Sequence, residues 1–291
     1  MTNLFSPTEQ ALRDEIVLVG KLLYERGLIV ATDGNISARL DHDKILITPS
    51  GLCKGLMTPD QLIVIDLEGR KVGPHTPANA NLGPSSETAM HLEAFKQRSD
   101  VQAVVHAHPP HAIALSIVNI SLADCMLPEA IVFLGLTPTT PYATPSSEEN
   151  AQAIRQVITG HDALILQRHG SLTVGTGPLN AFYRTETLEQ IARITYMLNQ
   201  LGGGEPLPSH QVEKLMQTRR QLGLARAADA AEFCEICHVC HPAEQHRAAS
   251  SIDSATSNGK QQPLAPANDA VDPDLIRLIT RRVMEELNSR A

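Results

Sequence analysis

The sequence contains no tryptophan, and aromatic residues make up only 3% of its 291 positions. Proteins that bind single-stranded nucleic acid stack its bases on several aromatic side chains, so this composition argues against such a platform. Basic residues are also in the minority, with 24 Lys and Arg against 32 Asp and Glu and a formal net charge of −8. A negatively charged chain is not attracted to a phosphate backbone, and we expect no nucleic-acid partner.

Long apolar runs are missing as well. No stretch reaches the length that crosses a bilayer, and residues 1–6 lack the basic and apolar regions of a secretory signal, so we expect no membrane segment and no secretion. There are five cysteines, and three of them crowd into residues 234–240, a pattern unlike a secreted disulfide framework. These absences predict a cytoplasmic globular protein that is long enough to bury a substantial core.

The first 230 residues contain a series of strand-like and helical patterns. Aliphatic and β-branched runs at 44–47, 62–67, 101–105, 163–166 and 171–174 predict strands. Ser6, Pro7 and Glu9 introduce an amphipathic helix, and Ser86 is expected to cap another, with Glu87 in its first turn. Further helices are predicted at 179–201 and 209–222.

Two histidines end the strand at 101–105. Side chains alternate across a strand, so His106 and His108 should point to the same face. Two imidazoles at a rigid strand end form half of a zinc site, which usually has four ligands, although a lone pair can equally be two buried histidines. His169, at the end of the strand 163–166, is a third candidate ligand. Glu87 is a candidate carboxylate, or else it only complements the helix dipole.

Small polar turns border several of these elements, at 32–37, 48–51 and 84–86. Backbone N–H groups and hydroxyls in such turns can hold a phosphate without a cation, and a helix start favours an anion. Each turn alone is better explained by ordinary turn chemistry. Only their combination with the histidines indicates a site for a phosphorylated substrate.

Five short motifs occur together in one order: Gly34-Asn35-Ile36-Ser37, Thr48-Pro49-Ser50-Gly51, Pro84-Ser85-Ser86-Glu87, His106-Ala107-His108 and Arg168-His169-Gly170. Over residues 8–225 the sequence thereby resembles the class II aldolase/adducin family, and in particular the aldolases that act on fuculose phosphate. The resemblance implies an α/β fold, a three-layer sandwich with a mainly antiparallel central sheet, for a domain of residues 1–230. It also implies a homotetramer with the active site near a subunit interface.

The resemblance also implies roles for individual residues. His106, His108 and His169 would bind Zn²⁺, with Glu87 as the resting fourth ligand and the catalytic base. The implied reaction is retro-aldol cleavage of L-fuculose 1-phosphate or L-rhamnulose 1-phosphate to dihydroxyacetone phosphate and lactaldehyde. The substrate phosphate would be held by Gly34, Asn35, Ser50, Gly51, Ser85 and Ser86.

The chain departs from the family in its proton donor. Two tyrosines of the aldolase are missing, because their positions fall on Leu127 and about Leu222. Glu129, two residues past the first position, is either a substitute donor or a structural carboxylate.

Other functions of the same fold stay open. A pentulose-phosphate 4-epimerase typically carries Asp where this chain has Glu87, so Glu87 favours an aldolase, and other sugar-phosphate lyases are further alternatives. A non-catalytic, adducin-like interaction module would be expected to lose its metal ligands, whereas all three histidines are present.

A Cys/His-rich segment occupies residues 231–246. Its Cys234, Cys237, Cys240 and His241 offer a Cys3His set that suits a second, structural zinc ion. The same three-residue spacing would also place the thiols on one face of a helix with no metal.

The end of the chain has a different composition. Residues 247–270 are rich in Ser, Ala, Asn, Gln and Pro, which predicts a disordered linker. Residues 271–291 form a predicted amphipathic helix, capped by Asp272 and Pro273. This tail resembles the encapsulation peptides of bacterial microcompartment enzymes, which implies a shell-protein partner and a location inside a microcompartment. The alternative is that the helix docks on the enzyme's own core.

Overall fold

The computed structural model describes residues 5–123 and 125–239. All of them belong to the first of the two units into which the chain divides, residues 1–242. The linker at 247–270 and the amphipathic helix at 271–291, predicted above, lie outside the described residues, as do Cys240 and His241.

A seven-stranded sheet forms the centre of this unit, in the order β3-β2-β1-β4-β7-β6-β5. All neighbouring strands are antiparallel except β5 and β6, which run parallel. The predicted, mainly antiparallel sheet is therefore confirmed. The strands are β1 (Asn35–Arg39), β2 (Lys44–Ile47), β3 (Ile63–Asp66), β4 (Ala103–Ala107), β5 (Thr139–Thr140), β6 (Ala163–Leu166) and β7 (Gly170–Gly175).

Seven α-helices of the described residues surround this sheet. Short 3₁₀ turns at Lys54–Leu56 and Pro59–Gln61 and a π-helical turn at Ala130–Leu134 complete the regular structure. The helices are α1 (Pro7–Glu25), α2 (Thr88–Gln97), α3 (Pro110–Ile117), α4 (Glu148–Arg155), α5 (Pro178–Gln200), α6 (Ser209–Gln221) and α7 (Asp229–Cys237).

Helices cover both faces of the sheet. Apolar side chains of α1 and α5 pack on one face, where they meet Val105 and its neighbours. Side chains of α2 and α4 pack on the other face, where they meet Val104. Because Val104 and Val105 are consecutive in β4, their assignment to opposite faces follows the two-residue period of a strand. The three-layer α/β sandwich implied by the sequence is thus present.

Local signals place the first helix as expected. The Ser6 side chain accepts a hydrogen bond from the Glu9 backbone N–H at 3.2 Å, which satisfies one of the unpaired donors at the start of α1. The predicted cap of the next helix, Ser86, is one residue too early. α2 begins at Thr88, and its N-cap is Glu87. Glu87 is therefore the last residue before α2 and not part of its first turn.

One feature was not expected from the sequence. Cys125 and Cys237 are paired as a disulfide, although they are separated by 112 residues. Cysteine spacing alone did not indicate this pair, because the approach of α7 to the loop around residue 125 is a tertiary contact. Among the described residues, no helix is both long and apolar enough to cross a membrane.

Candidate metal and active site

The three predicted ligands meet at one end of the sheet. β4 is a central strand, and its antiparallel neighbour β7 begins directly after His169. The ring centres of His106 and His108 are 4.9 Å apart, and His169 lies 4.7 Å from the first and 5.2 Å from the second. One nitrogen from each ring lies within 4.8 Å of the others, as a shared metal ion would require.

The hydrogen bonding of His106 leaves one nitrogen for a cation. Its Nδ1 lies 2.8 Å from the backbone oxygen of Ser171, and since that oxygen can only accept, Nδ1 carries the proton. Nε2 therefore presents a lone pair, 3.0 Å from Nε2 of His108. A backbone carbonyl that orients a histidine in this way is a common feature behind metal ligands.

Glu87 completes the group from the start of α2. Its Oε2 lies 3.2 Å from Nε2 of His106, and its Oε1 lies 3.2 Å from Nε2 of His169. Oε1 and Nδ1 of His169 are buried with no hydrogen-bond partner among the described residues. Three imidazoles and one carboxylate with converging, incompletely satisfied atoms are a donor set that fits a Zn²⁺ ion.

The electrostatics of the group favour an ionised Glu87 carboxylate and a neutral His108 ring. Burial alone would raise the pKa of Glu87, but electrostatic attraction to His106 and the polar contacts with His106, His169 and Asn35 together hold it far below its ordinary range. The pKa of His108 is lowered to about 4, by burial first and then by repulsion from the other two rings. At neutral pH, His108 is therefore available as a neutral ligand.

A chain of buried hydrogen bonds stands behind Glu87. The Asn35 amide nitrogen donates to Oε2 of Glu87 at 2.9 Å, while its oxygen accepts from Nε2 of His91 at 2.5 Å. Nδ1 of His91 lies 2.6 Å from the hydroxyl of Ser37, which must then donate. A neutral His91 holds its proton on only one nitrogen. The chain of hydrogen bonds therefore fixes which end of the Asn35 amide faces Glu87.

The proposed phosphate-binding turns lie beside this group. Residues 48–51 and 83–85 form a bridge, with the Ser50 N–H donating to Gly83 at 3.0 Å and the Ser85 N–H donating to Thr48 at 3.3 Å. The Thr48 hydroxyl in turn accepts from the Ile36 N–H at 3.1 Å. Three segments that are distant in sequence therefore form one surface, here called the phosphate surface. On it Ser50, Gly51 and Ser86 are exposed and Ser85 is buried.

Gly34 is required by the close packing of this surface. Its φ of 69° is in the left-handed region, and a Cβ there would lie 2.5 Å from the Ile29 side chain and 3.0 Å from the His106 oxygen. Only glycine combines that conformation with that approach. Asn35 next to it makes its contacts with Glu87 and His91, so its amide belongs to the metal end of the site.

Sequence reasoning missed three groups at the site. The sequence indicated His91 only as a residue of the helix that follows Glu87. Asp33 lies 3.4 Å from Nδ1 of His108, and Lys54, only 3% exposed, donates to backbone oxygens of Thr32 and Leu52. Burial lowers the pKa of Lys54. The position of this lysine, shortly after the turn at 48–51, is the sequence signal that could have predicted a cation near the phosphate surface.

The remaining predicted residues lie elsewhere. Glu129 is exposed and borders a surface groove formed with α5, which also contains Leu127 and Phe133. None of the residues that line this groove belongs to the histidine group. Cys234 and Cys237 lie on α7. Asp41, His42 and Asp43 form the one other metal-like group of the described residues, at the protein surface.

Comparison with known proteins agrees with this arrangement. The chain is 32% identical over 187 residues to an L-fuculose phosphate aldolase of Methanococcus maripaludis, covering 64% of this chain and 97% of that protein. It is 31% identical over 196 residues to a 3-oxo-tetronate 4-phosphate decarboxylase of Haemophilus influenzae, covering 66% and 90% respectively.

The solved structure of an L-fuculose 1-phosphate aldolase superposes with a TM-score of 0.64 at 27% identity, covering 76% of this chain and all of that one. The family model described as class II aldolase and adducin N-terminal domain matches residues 14–196. This range contains every member of the histidine group and of the phosphate surface. The chain therefore belongs to the class II aldolase and adducin N-terminal domain family.

Proposed function

We propose that this protein is a zinc-dependent aldolase that cleaves L-fuculose 1-phosphate or L-rhamnulose 1-phosphate to dihydroxyacetone phosphate and lactaldehyde. The observation that carries the proposal is the convergence of three histidines and Glu87 next to the turns at 48–51 and 83–86. The relatives named fuculose phosphate aldolase support the same substrate class.

His106, His108 and His169 would hold Zn²⁺. When bound, the ion acts as a Lewis acid that stabilises negative charge on the substrate carbonyl oxygen. The protein holds the histidines rigidly, because His106 is within β4 and His108 and His169 directly adjoin β4 and β7. No lysine Schiff base is needed for a reaction of this kind.

Glu87 changes role between the resting and the working site. In the resting site the hydrogen bond from Asn35 and the nearby rings keep its carboxylate ionised and weakly basic. A substrate that displaces the carboxylate from the rings removes those contacts, and the pKa then rises toward the range in which a base is effective. In the condensation direction Glu87 then takes the proton from the carbon beside the carbonyl, and in the cleavage direction it returns that proton.

The substrate phosphate would bind at the bridged turns. Ser50, Gly51, Ser85 and Ser86 offer hydroxyls and N–H groups, and the start of α2 adds the positive end of a helix dipole. Gly34 and Asn35 connect this surface to Glu87, so the phosphate and the reacting carbons can be held at once. The nearby Lys54 ammonium adds a positive charge that favours an anion.

A second candidate reaction is decarboxylation of a 3-oxo acid phosphate. The Haemophilus influenzae relative has the name of such a decarboxylase. Position 127 also favours it, because Leu127 cannot exchange a proton with a substrate hydroxyl. Aldol cleavage must remove such a proton, whereas loss of CO₂ starts from a carboxylate and leaves an enolate, which takes its proton on carbon.

A substrate panel tests both candidates. Purified protein would be incubated with L-fuculose 1-phosphate, L-rhamnulose 1-phosphate, pentulose 5-phosphates and 3-oxo-tetronate 4-phosphates, and the products identified by mass spectrometry. Dihydroxyacetone phosphate together with lactaldehyde supports the aldolase. Release of CO₂ from the oxo acid alone would replace it with the decarboxylase, and interconversion of pentulose phosphates would replace it with the epimerase.

The same proposal includes a homotetramer. Phe133 is 52% exposed beside Leu127 and Glu129, and a large apolar side chain in that position is better accommodated at a subunit contact. Glu129 would then act as proton donor in a neighbouring subunit. Glu129→Gln should lower turnover without changing zinc content, and an unchanged rate would leave Glu129 a structural carboxylate.

We also propose that residues 271–291 direct the enzyme into a bacterial microcompartment by binding a shell protein. The support is the sequence alone, a polar linker followed by an amphipathic pattern. The test is to fuse residues 265–291 to a fluorescent protein in a host that makes shells. Diffuse fluorescence, with the full-length enzyme also outside purified shells, would contradict the proposal.

A further inference from the structure

A small cavity lies at the end of the sheet opposite the histidine group. There β4 begins and β7 ends, and Ala103 pairs with Gly175, whereas the histidines lie where β4 ends and β7 begins. The cavity has a volume of about 30 Å³, which is room for one water-sized particle and too little for a sugar phosphate. We call it the arginine cavity, because its charged lining residues are Arg98, Asp100, Arg184 and Arg226.

Positive charge is in excess around the arginine cavity. Arg98 is the C-cap of α2, Arg184 lies on α5, and Arg226 lies in the segment between α6 and α7. Arg98 and Arg184 are largely buried, and Arg226 is partly buried. Only two carboxylates of the described residues, Asp100 and Asp162, contact these three guanidinium groups. One positive charge is therefore left without a counter-ion, in surroundings where an uncompensated charge is costly.

The two carboxylates cannot supply the missing charge, because both are already shared between arginines. Asp162 is buried. Its oxygens lie 2.7 Å from Nη1 of Arg98, 2.8 Å from Nη2 of Arg226 and 3.0 Å from Nη2 of Arg184. Asp100 accepts hydrogen bonds from Nε and Nη2 of Arg98, at 3.0 and 2.6 Å, and from Nη1 of Arg226 at 3.2 Å. Each carboxylate balances one charge, so the group as a whole stays positive.

Arg184 has the fewest partners of the three arginines. A guanidinium group carries five N–H donors. Nη1 of Arg184 donates to the backbone oxygen of Val174, and Nη2 contacts Asp162, but its other N–H donors have no partner among the described residues. Burial lowers the pKa of Arg184, and repulsion from the other arginines adds to this, against the attraction of Asp162. An anion beside Arg184 would accept from the free donors and offset the repulsion.

We propose that the arginine cavity binds one chloride ion, held by the free N–H donors of Arg184 and by the charges of Arg98 and Arg226. The ion supplies the counter-charge that the protein lacks at this place. Its size is close to that of a water molecule and suits the cavity, whereas a phosphate or sulfate ion is too large. The ion joins the end of α2, α5 and the segment before α7, so it stabilises the attachment of the last helices to the sheet.

The competing occupant is a single water molecule. Water has a suitable size and can accept hydrogen bonds from Arg184, but it brings no charge. The two occupants predict different responses to salt, because only a bound ion makes the stability of the fold depend on the concentration of that ion. This response can be measured without assaying the enzyme.

The first test follows thermal unfolding of the full-length protein at constant ionic strength, with chloride replacing gluconate. Above the dissociation constant, each tenfold rise in chloride should raise the Tm of the wild type by about 3–6 °C. Arg184→Gln should abolish this rise. Arg193→Gln changes an exposed arginine of the same helix, and this matched control should keep the rise.

The proposal is overturned if chloride does not raise the Tm of the wild type, or if it raises the Tm of Arg184→Gln equally. If Arg184→Gln does not fold, Arg226→Gln, at the partly exposed edge of the cavity, decides by the same criterion. Stabilisation by phosphate but not by chloride would place the anion at the phosphate surface, and it would also overturn the proposal.

Bromide then locates the ion, because it has the charge of chloride and scatters X-rays anomalously. Crystals of the full-length protein soaked in sodium bromide should show an anomalous peak between the guanidinium groups of Arg98, Arg184 and Arg226. Bromide bound only at other positions, with a water molecule in the arginine cavity, would refute the chloride site.

Discussion

Replacing His91 with phenylalanine would disconnect the hydrogen-bond chain behind Glu87 while keeping a ring of similar size on α2. The change leaves the Asn35 oxygen without a donor and the Ser37 hydroxyl without its acceptor, at positions that are 3% and 0% exposed. Each buried polar group left unpaired costs about 1–3 kcal/mol. We therefore expect the free energy of unfolding to fall by about 2–6 kcal/mol in His91→Phe.

Activity should fall for a separate reason. Without His91 the Asn35 amide is free to rotate, and its oxygen instead of its nitrogen can then face the Glu87 carboxylate. A hydrogen bond to a charged group contributes about 1.5–3 kcal/mol, which corresponds to a loss of roughly ten- to a hundredfold in turnover. Zinc content should change little, because His91 is not a proposed ligand.

The pH dependence of stability gives an independent measurement. Burial, followed by repulsion from His106, lowers the pKa of His91 from 6.5 to about 3. Between these values the unfolded chain binds a proton that the folded protein does not, so stability rises with pH across this window and is lost as pH falls. The contribution is about 1.4 kcal/mol per pH unit, and it should disappear in His91→Phe.

Urea unfolding at several pH values, steady-state kinetics and zinc analysis would test these expectations together. Met90→Leu is the matched control, because Met90 is equally buried on α2 but takes no part in the hydrogen-bond chain behind Glu87. That near-isosteric change should cost less than about 1.5 kcal/mol and leave turnover unchanged. If His91→Phe kept wild-type turnover and the wild-type pH slope, the role of His91 in positioning Asn35 would be refuted.

Three further variants test the proposed site. Glu87→Gln should keep zinc yet abolish exchange of the dihydroxyacetone phosphate C–H with solvent, and normal exchange would remove Glu87 as the base. His108→Ala should lose the zinc of the histidine group, measured by elemental analysis, and full retention would contradict its assignment as a ligand. Gly34→Ala should lower the free energy of unfolding by about 1–3 kcal/mol in urea titrations, because the left-handed backbone and the contact with Ile29 both oppose a Cβ.

Local sequence determined the elements and some of the site. The period of a strand is enough to put His106 and His108 on one side of β4, and the capping residues Ser6 and Glu9 define the start of α1 within one turn. These predictions succeeded because they depend on backbone geometry over a few residues. The order of the five motifs identified the family and with it the α/β sandwich.

Tertiary structure decided which distant residues meet. The β4–β7 register, in which His106 lies opposite Leu172, brings His169 to the other two rings. The packing of α2 on the sheet brings Glu87 and His91 into contact with Asn35.

The meeting of Cys125 with Cys237 has the same origin, since it depends on α7 packing against a segment 112 residues earlier in the chain. Contacts of this kind depend on the relative placement of whole elements. That placement is set by burying many apolar side chains at once, so no short motif encodes it.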